Sequence, residues 1–452
     1  MSRVVVIGGD AAGATAASNL RRTLPEEHEV VVLERTDRTS YSACGIPYWI
    51  AGDVDSADDL VARTPEKHRE NGIDLRTGVE VTAIDPEAGR LTLADGNPID
   101  YDRLIIATGA EPLRPPLPGI DGRGILGVQS LADGQAVLDA MDQQPRHIVV
   151  VGSGYIGLEM AEACVARGFD TTVVEMADTP MPIVEPELGE QIADAMRARG
   201  IHLQASTPVT GFTLEDGQVT AVDIEGGSIP ADLVILGLGV TARSALAADA
   251  GLPIGPKGSI LVDQHQQVVG YDHIWAAGDC VASTDRITGD QVHLALGTHA
   301  NKQGMVAADA IAADLLGVAP QVSFPGVVQT AITKFCSLEI SRTGLGMQQA
   351  KDAGFDPVAA SIVTTNIAGY MPDAAEMTVL MIADRGTRRL LGAQIVGAED
   401  AALRIDVAGT ALAAGLTVDD VVMLDLAYAP PFGSVWSPVQ VAARAVVKAL
   451  DT

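Results

Sequence analysis

Three stretches of this chain hold residue types that could do chemistry. Ser40-Tyr41-Ser42-Ala43-Cys44-Gly45-Ile46-Pro47-Tyr48-Trp49 contains one cysteine and no second within a turn or two. Gly45 interrupts the preceding run and Pro47 suits a first helical turn, so a helix is expected to begin here. A thiol at a helix N-terminus is held as thiolate by the helix dipole and the unpaired N–H groups. That would make Cys44 a nucleophile; a small buried core cysteine is the competing reading. The other two stretches are glycine motifs, Gly8-Gly9-Asp10-Ala11-Ala12-Gly13 and Gly152-Ser153-Gly154-Tyr155-Ile156-Gly157.

The elements around these motifs give them meaning. Arg3 to Gly8 reads as a buried parallel strand, followed by a helix to about Arg22 and a second strand, Glu29 to Leu33, that ends in Glu34. Strand, glycine turn, helix, strand and acid, in that order, form a dinucleotide fingerprint. Asp10 replaces its middle glycine and brings a carboxylate toward the expected pyrophosphate. His147 to Val151 starts a second unit with the full glycine pattern; its second strand, Thr171 to Val174, ends in Glu175. Two such units imply two dinucleotides. An acid at the second strand end favours NADH over NADPH, and Met176-Ala177-Asp178 offers no arginine for a 2′-phosphate. NADPH stays open through Arg197 or Arg199.

The fold class is α/β: two Rossmann-like dinucleotide-binding domains and a C-terminal α+β domain. The expected divisions are 1–115 and 246–322 for the first dinucleotide domain, 116–245 for the second and 323–452 for the last. Expected C-terminal strands are Gln329 to Phe335, Glu339 to Thr343, Val358 to Thr365 and Met377 to Ala383, with helices from Arg404 to Ala414 and Val439 to Leu450.

Bulk properties narrow the partners. The chain has 452 residues, 47% hydrophobic, with a net charge of -29. That charge argues against nucleic acid and anionic membranes, and an anionic ligand would need a local basic patch. No apolar run reaches spanning length. Four cysteines, none at metal-ligand spacing, fit a reducing cytoplasm and no metal site. Cys164, Cys280 and Cys336 read as structural, each in an apolar helix or strand context.

With Ala107-Thr108-Gly109 and Ala276-Ala277-Gly278-Asp279 added, the order of motifs resembles the flavin-dependent pyridine nucleotide-disulfide oxidoreductases over essentially the whole chain. The resemblance implies FAD on the first fold, NAD(P)H on the second and a homodimer built by the last domain. It implies cofactor contacts at Gly8, Gly9, Ala11, Ala12, Gly13, Glu34, Arg35, Thr108, Gly109, Ala110, Gly152, Gly154, Tyr155, Ile156, Gly157, Glu159, Glu175, Gly239, Asp279, Ala295 and Thr298. Asp279 is expected on the ribityl chain and Tyr155 as the ring that covers the flavin.

The lone Cys44 resembles the single-cysteine branch: coenzyme A-disulfide reductases, NADH oxidases and NADH peroxidases. Arg63-Thr64-Pro65-Glu66, Ala300-Asn301-Lys302-Gln303-Gly304, Arg342-Thr343-Gly344-Leu345 and Leu426-Ala427-Tyr428-Ala429-Pro430-Pro431-Phe432 are similar to segments of that branch. The peroxidases and many oxidases carry a histidine where this chain has Ala11. Coenzyme A-disulfide reductases bring two tyrosines from the partner subunit to the sulfur, matched here by Tyr370 and Tyr428. The resemblance implies catalysis by Cys44, Tyr428 and Tyr370 and substrate contacts at Thr15, Asn19, Arg22, Ser40, Ser42 and Asn301. Ala43 and Trp436 depart, standing where members carry an asparagine and a lysine that contact coenzyme A.

The expected activity is therefore hydride transfer from NAD(P)H through FAD to Cys44, which reduces a low-molecular-weight disulfide of coenzyme A type. The alternatives are an NADH oxidase or peroxidase working through a cysteine sulfenic acid, or a slow-turnover flavin redox sensor. The identity of the thiol stays open.

Overall fold

The computed structural model describes residues 1–452. Its main strands, in chain order, are β1 (Arg3–Ile7), β2 (Glu29–Glu34), β3 (Asp74–Thr77), β4 (Arg103–Ile106), β5 (Ile125–Gly127), β6 (His147–Val151), β7 (Asp170–Val174), β8 (His202–Gln204), β9 (Leu233–Leu236) and β10 (Ile274–Ala276), then β11 (Ala331–Phe335), β12 (Leu338–Gly344), β13 (Pro357–Thr365), β14 (Glu376–Asp384) and β15 (Leu390–Gly397). The helices that matter for the site are α1 (Ala11–Thr23), α2 (Ile46–Ala51), α3 (Tyr155–Ala166), α4 (Gly297–Leu316), α5 (Ile405–Ala414) and α6 (Pro438–Leu450).

Two parallel sheets repeat one winding. The first runs β10-β4-β1-β2-β3 and the second β8-β7-β6-β9-β5. In each, the strand before the glycine motif lies at the centre, with Val5 paired to Val31 and Leu104, and Val149 to Thr172 and Val234. A strand covered on both faces needs a continuous apolar run, and Val-Val-Val-Ile of β1 supplies it. The chain leaves the first sheet after β4, builds the second, and returns as β10, which pairs with β4. The order reverses beside the central strand, where open α/β sheets bind their ligands.

The C-terminal sheet is antiparallel in the order β11-β12-β15-β14-β13. Helix α5 packs on β12 and β15, and α6 on β13 and β14. One apolar core of 51 buried residues runs from the second nucleotide unit into this sheet and takes in Ile46, Trp49 and Ile50 of α2. Burying each of these three side chains stabilises the fold by about 1.5–3 kcal/mol, which fixes α2 and the cysteine just before it. No helix is long and apolar enough to cross a membrane.

Two details differ from the sequence reading, and the helix expected after Gly45 is present. Strand β15 was not anticipated, because Gly392 and Gly397 break its apolar pattern, yet it is buried along its whole length. The helix near the cysteine begins at Ile46, with Pro47 in its first turn; Cys44 precedes it in a 3-10 turn, Ala43–Gly45. Cys280 and Cys336 both lie in neither helix nor strand; Cys280 is buried in the turn after β10, and Cys336 is the more open of the two. It turns the β11–β12 hairpin at φ 54°, half-buried, on the wall of a cavity of about 730 Å³ that Lys334 also lines.

Candidate active site

The two glycine loops are built alike. Gly8 and Gly152 hold φ of +100° and +93°, and a Cβ at Gly13 or Gly157 would lie 1.9 or 2.1 Å from the carbonyl oxygen of Gly8 or Gly152. Only glycine lets strand and helix close this tightly. The N-termini of α1 and α3 carry no side-chain cap, so their N–H groups stay free for an anion. The acids at the strand ends brace the loops. Glu34 Oε2 accepts from Gly9 N at 2.8 Å, and Oε1 from Thr36 N and Oγ1 at 2.8 Å each. Glu175 does the same for Ser153 N (2.9 Å), Ser153 Oγ (2.6 Å) and Ala177 N (2.9 Å). Beside Glu175, Met176 is 73% exposed.

These features fit dinucleotides. Asp279 follows β10 at the mouth of the first loop, where Gly278 N donates to Gln303 of α4 at 2.9 Å. Its carboxyl is raised by burial and engages no donor of the chain, which suits the hydroxyls of a polyol. Gly109 and Gly239 both take positive φ, and Thr108 Oγ1 donates to Arg243 O at 2.6 Å, closing the crossover between the two units. Ala110 is buried in the short strand that follows, while Arg35 and Thr298 are exposed and Ala295 is half-buried.

Cys44 is exposed, whereas Cys164 and Cys280 are buried. Its thiol does not have the depressed pKa expected of a helix N-terminus. Partial burial raises it, and the carboxylates of Glu159, Asp279 and Asp10 push in the same direction. Glu159, from the first turns of α3, is itself raised to about 7 by burial, against a stabilising 2.9 Å bond from Thr333 Oγ1. The next residue of β11, Lys334, sits 5.5 Å above the Tyr48 ring and 2.9 Å from Glu162. Thus β11 binds the carboxyls and the ring that neighbour the cysteine of its own chain. Sequence reasoning missed Thr333, Lys334 and Tyr48, since contacts 174 or 172 residues apart leave no local signal.

Tyr155 is half-buried at the start of α3, its phenol raised to about 12 by burial, against the opposing charge of Arg342. Arg342 is 6% exposed and leaves its Nε without a partner.

The expected substrate residues fall into two groups. Thr15, Asn19, Arg22 and Asn301 form one chain of hydrogen bonds across α1 and α4: Thr15 Oγ1 to Asn301 Oδ1 (3.0 Å), Asn19 Nδ2 to Thr15 O (2.8 Å) and Arg22 to Asn19 Oδ1 (2.9 Å). Ser40 Oγ meets His68 Nε2 at 2.9 Å, and Arg63 joins Ser18 of α1 at 3.0 Å. Ser42 is exposed. Tyr370 and Tyr428 lie beside each other on C-terminal loops, 75% and 46% exposed, with Phe432, Val435 and Trp436 exposed nearby in sequence. Slight desolvation and the neighbouring Tyr428 hydroxyl raise the Tyr370 phenol. No contact within the chain joins either tyrosine to Cys44.

Residues 2–304 match the family model of pyridine nucleotide-disulphide oxidoreductases, and residues 330–438 match the dimerisation domain of the same family. An NAD(P)H sulfur oxidoreductase (CoA-dependent) of Pyrococcus abyssi is 36% identical, covering 98% of this chain and 97% of its own. An NADH oxidase of Methanocaldococcus jannaschii is 35% identical over 99% of both chains. The solved NAD-dependent persulfide reductase from A. fulgidus superimposes with a TM-score of 0.95 at 34% identity, covering 99% of this chain and 84% of its own.

Proposed function

The chain belongs to the pyridine nucleotide-disulphide oxidoreductase family, and from that premise we propose that Cys44 reduces a low-molecular-weight disulfide or persulfide, of coenzyme A or a related thiol. The protein is an FAD-dependent NAD(P)H oxidoreductase. The observation that carries the substrate reading is a solvent-accessible lone cysteine ringed by carboxylates, with Ala11 in place of an oxygen-handling histidine.

Bound FAD would supply the two-electron chemistry that links the nicotinamide to the sulfur. The first glycine loop and Glu34 would seat it, with Asp279 on its polyol chain; the second glycine loop, Glu175 and the α3 N-terminus would seat NADH. Cys44 attacks the acceptor's S–S bond as thiolate, releasing one thiol and leaving a mixed disulfide on Cys44. Two electrons and a proton then release the second thiol and restore Cys44, so NADH, a proton and one disulfide give NAD+ and two thiols. The carboxyls of Glu159 and Asp10, raised by burial, would hold a proton for a leaving sulfur. Thr15, Asn19, Arg22 and Asn301 give a polar track in an otherwise acidic surface, and Ser40 and Ser42 flank the sulfur. In a homodimer, Tyr370 and Tyr428 of one subunit would meet Cys44 of the other, donating hydrogen bonds to the departing thiolate.

Mass spectrometry of the protein as isolated tests this reading through the adduct on Cys44. Loss of disulfide turnover by about 10³-fold or more in Cys44→Ser accompanies it. Oxygen uptake that matches NADH loss and ignores added coenzyme A disulfide would favour the oxidase reading instead, which relatives named NADH oxidase keep in view.

A further inference from the structure

Asp10 stands where the second unit has Gly154, whose Cβ would meet nothing within 4 Å. Both residues precede the first turn of their helix in extended conformation, φ -99° and -70°. Unlike an ordinary N-cap aspartate, Asp10 makes no capping bond to the inner N–H groups of the helix, and only the N–H of the adjacent Ala11 acts on its carboxyl. Its Oδ1 turns away and accepts from Tyr41 N at 3.2 Å, three residues before Cys44. The groups facing it carry no compensating cation. They are Glu34 from β2, Asp279 from the end of β10, and the neutral Tyr41 and Cys44 of the thiol segment. Helix α4 sets the uncharged Gln303 and Gly304 against this region, its Lys302 being exposed. Arg243 acts on Tyr41.

We propose that Asp10 is a proton-holding residue of the FAD site, and that seating the dinucleotide's pyrophosphate at the N-terminus of α1 draws one proton onto its carboxylate. The pyrophosphate is a dianion and would join a third acid beside Glu34 and Asp279; two like charges at such range cannot both persist without a cation. Burial already raises the Asp10 carboxyl to about 7 in the chain by itself. An added anion raises it further, so the proton is taken up wherever the free chain has lost it. The sign follows. Below about pH 7 the proton is in place and affinity is flat; above it, affinity falls by up to tenfold per pH unit.

This inference rests on the FAD assignment, and one experiment separates the two. The FAD dissociation constant of the full-length chain is measured by flavin fluorescence between about pH 6 and about pH 9, with titration calorimetry at about pH 8 in two buffers of different ionisation enthalpy. The wild type is expected to weaken toward tenfold per unit above neutrality and to take up close to one proton. Asp10→Asn is expected to bind with affinity independent of pH and without proton uptake. Asp10→Gly, which copies Gly154, gives the same result should the amide disturb the loop. A flat wild-type profile, or a slope that survives in both variants, overturns the proposal and leaves FAD binding intact. No FAD binding at any pH would instead remove the cofactor assignment.

Discussion

Thr333 Oγ1 donates a 2.9 Å hydrogen bond to Glu159 Oε1, so the C-terminal sheet grips the helix whose carboxylate stands beside Cys44. Among the charges that raise the thiol, Glu159 comes first. Glu159→Gln keeps the acceptor for Thr333 and removes the charge. Alkylation of Cys44 by iodoacetamide, followed against pH, should then reach half-maximal rate at lower pH than in the wild type. An unshifted curve would mean that Glu159 does not act on the sulfur.

Glu159 also sets a stability profile. Its carboxyl is raised from 4.5 to about 7 in the folded chain. Between those values the native state binds more protons than the unfolded one, so stability falls as pH rises and levels off above the folded value. Glu159→Gln abolishes this contribution. At about pH 8 the variant should be more stable by about 3 kcal/mol, and at about pH 4 the two should coincide. Chemical denaturation at both values measures it; a difference independent of pH would exclude Glu159 as the source.

The nucleotide folds were legible because their signals are local. Val4 to Gly13 and Ile148 to Gly157 write strand, turn and helix in consecutive residues, and Glu34 and Glu175 close each unit within one crossover. The pKa of Cys44 was not legible. Its neighbours come from α1, α3 and the end of β10, so burial and three carboxylates reversed what the local helix suggested. Thr333 and Lys334 were missed for the same reason, being placed by tertiary packing alone. Asp10 was visible as a departure from the glycine pattern, but its turn toward Tyr41 needed coordinates.

Cofactor preference should move with one residue. Glu175 is occupied by Ser153 and Ala177 and braces the loop, so removing it risks the fold of the site. Met176 is exposed beside it and bonds nothing. Met176→Arg places a guanidinium where a 2′-phosphate would lie, and should raise kcat/KM for NADPH by about tenfold with a smaller change for NADH. Steady-state rates with both nucleotides decide. An unchanged ratio would place the ribose elsewhere.

Hybrid dimers test whether Tyr428 acts in its partner's site. Tyr428→Phe alone should lower disulfide turnover by about 10–100-fold, since a phenol that assists a leaving thiolate contributes on that scale. Cys44→Ser alone should abolish it. A dimer with one subunit of each kind, isolated through two different tags, would hold one site with both Cys44 and Tyr428 and one with neither. If the sites are shared, it turns over at about half the wild-type rate, far above either parent. If each subunit works alone, its rate is half that of Tyr428→Phe. The exposure of Tyr370 and Phe432, 75% and 78%, favours the first outcome, because aromatic rings so open on one chain are of the kind a second subunit covers.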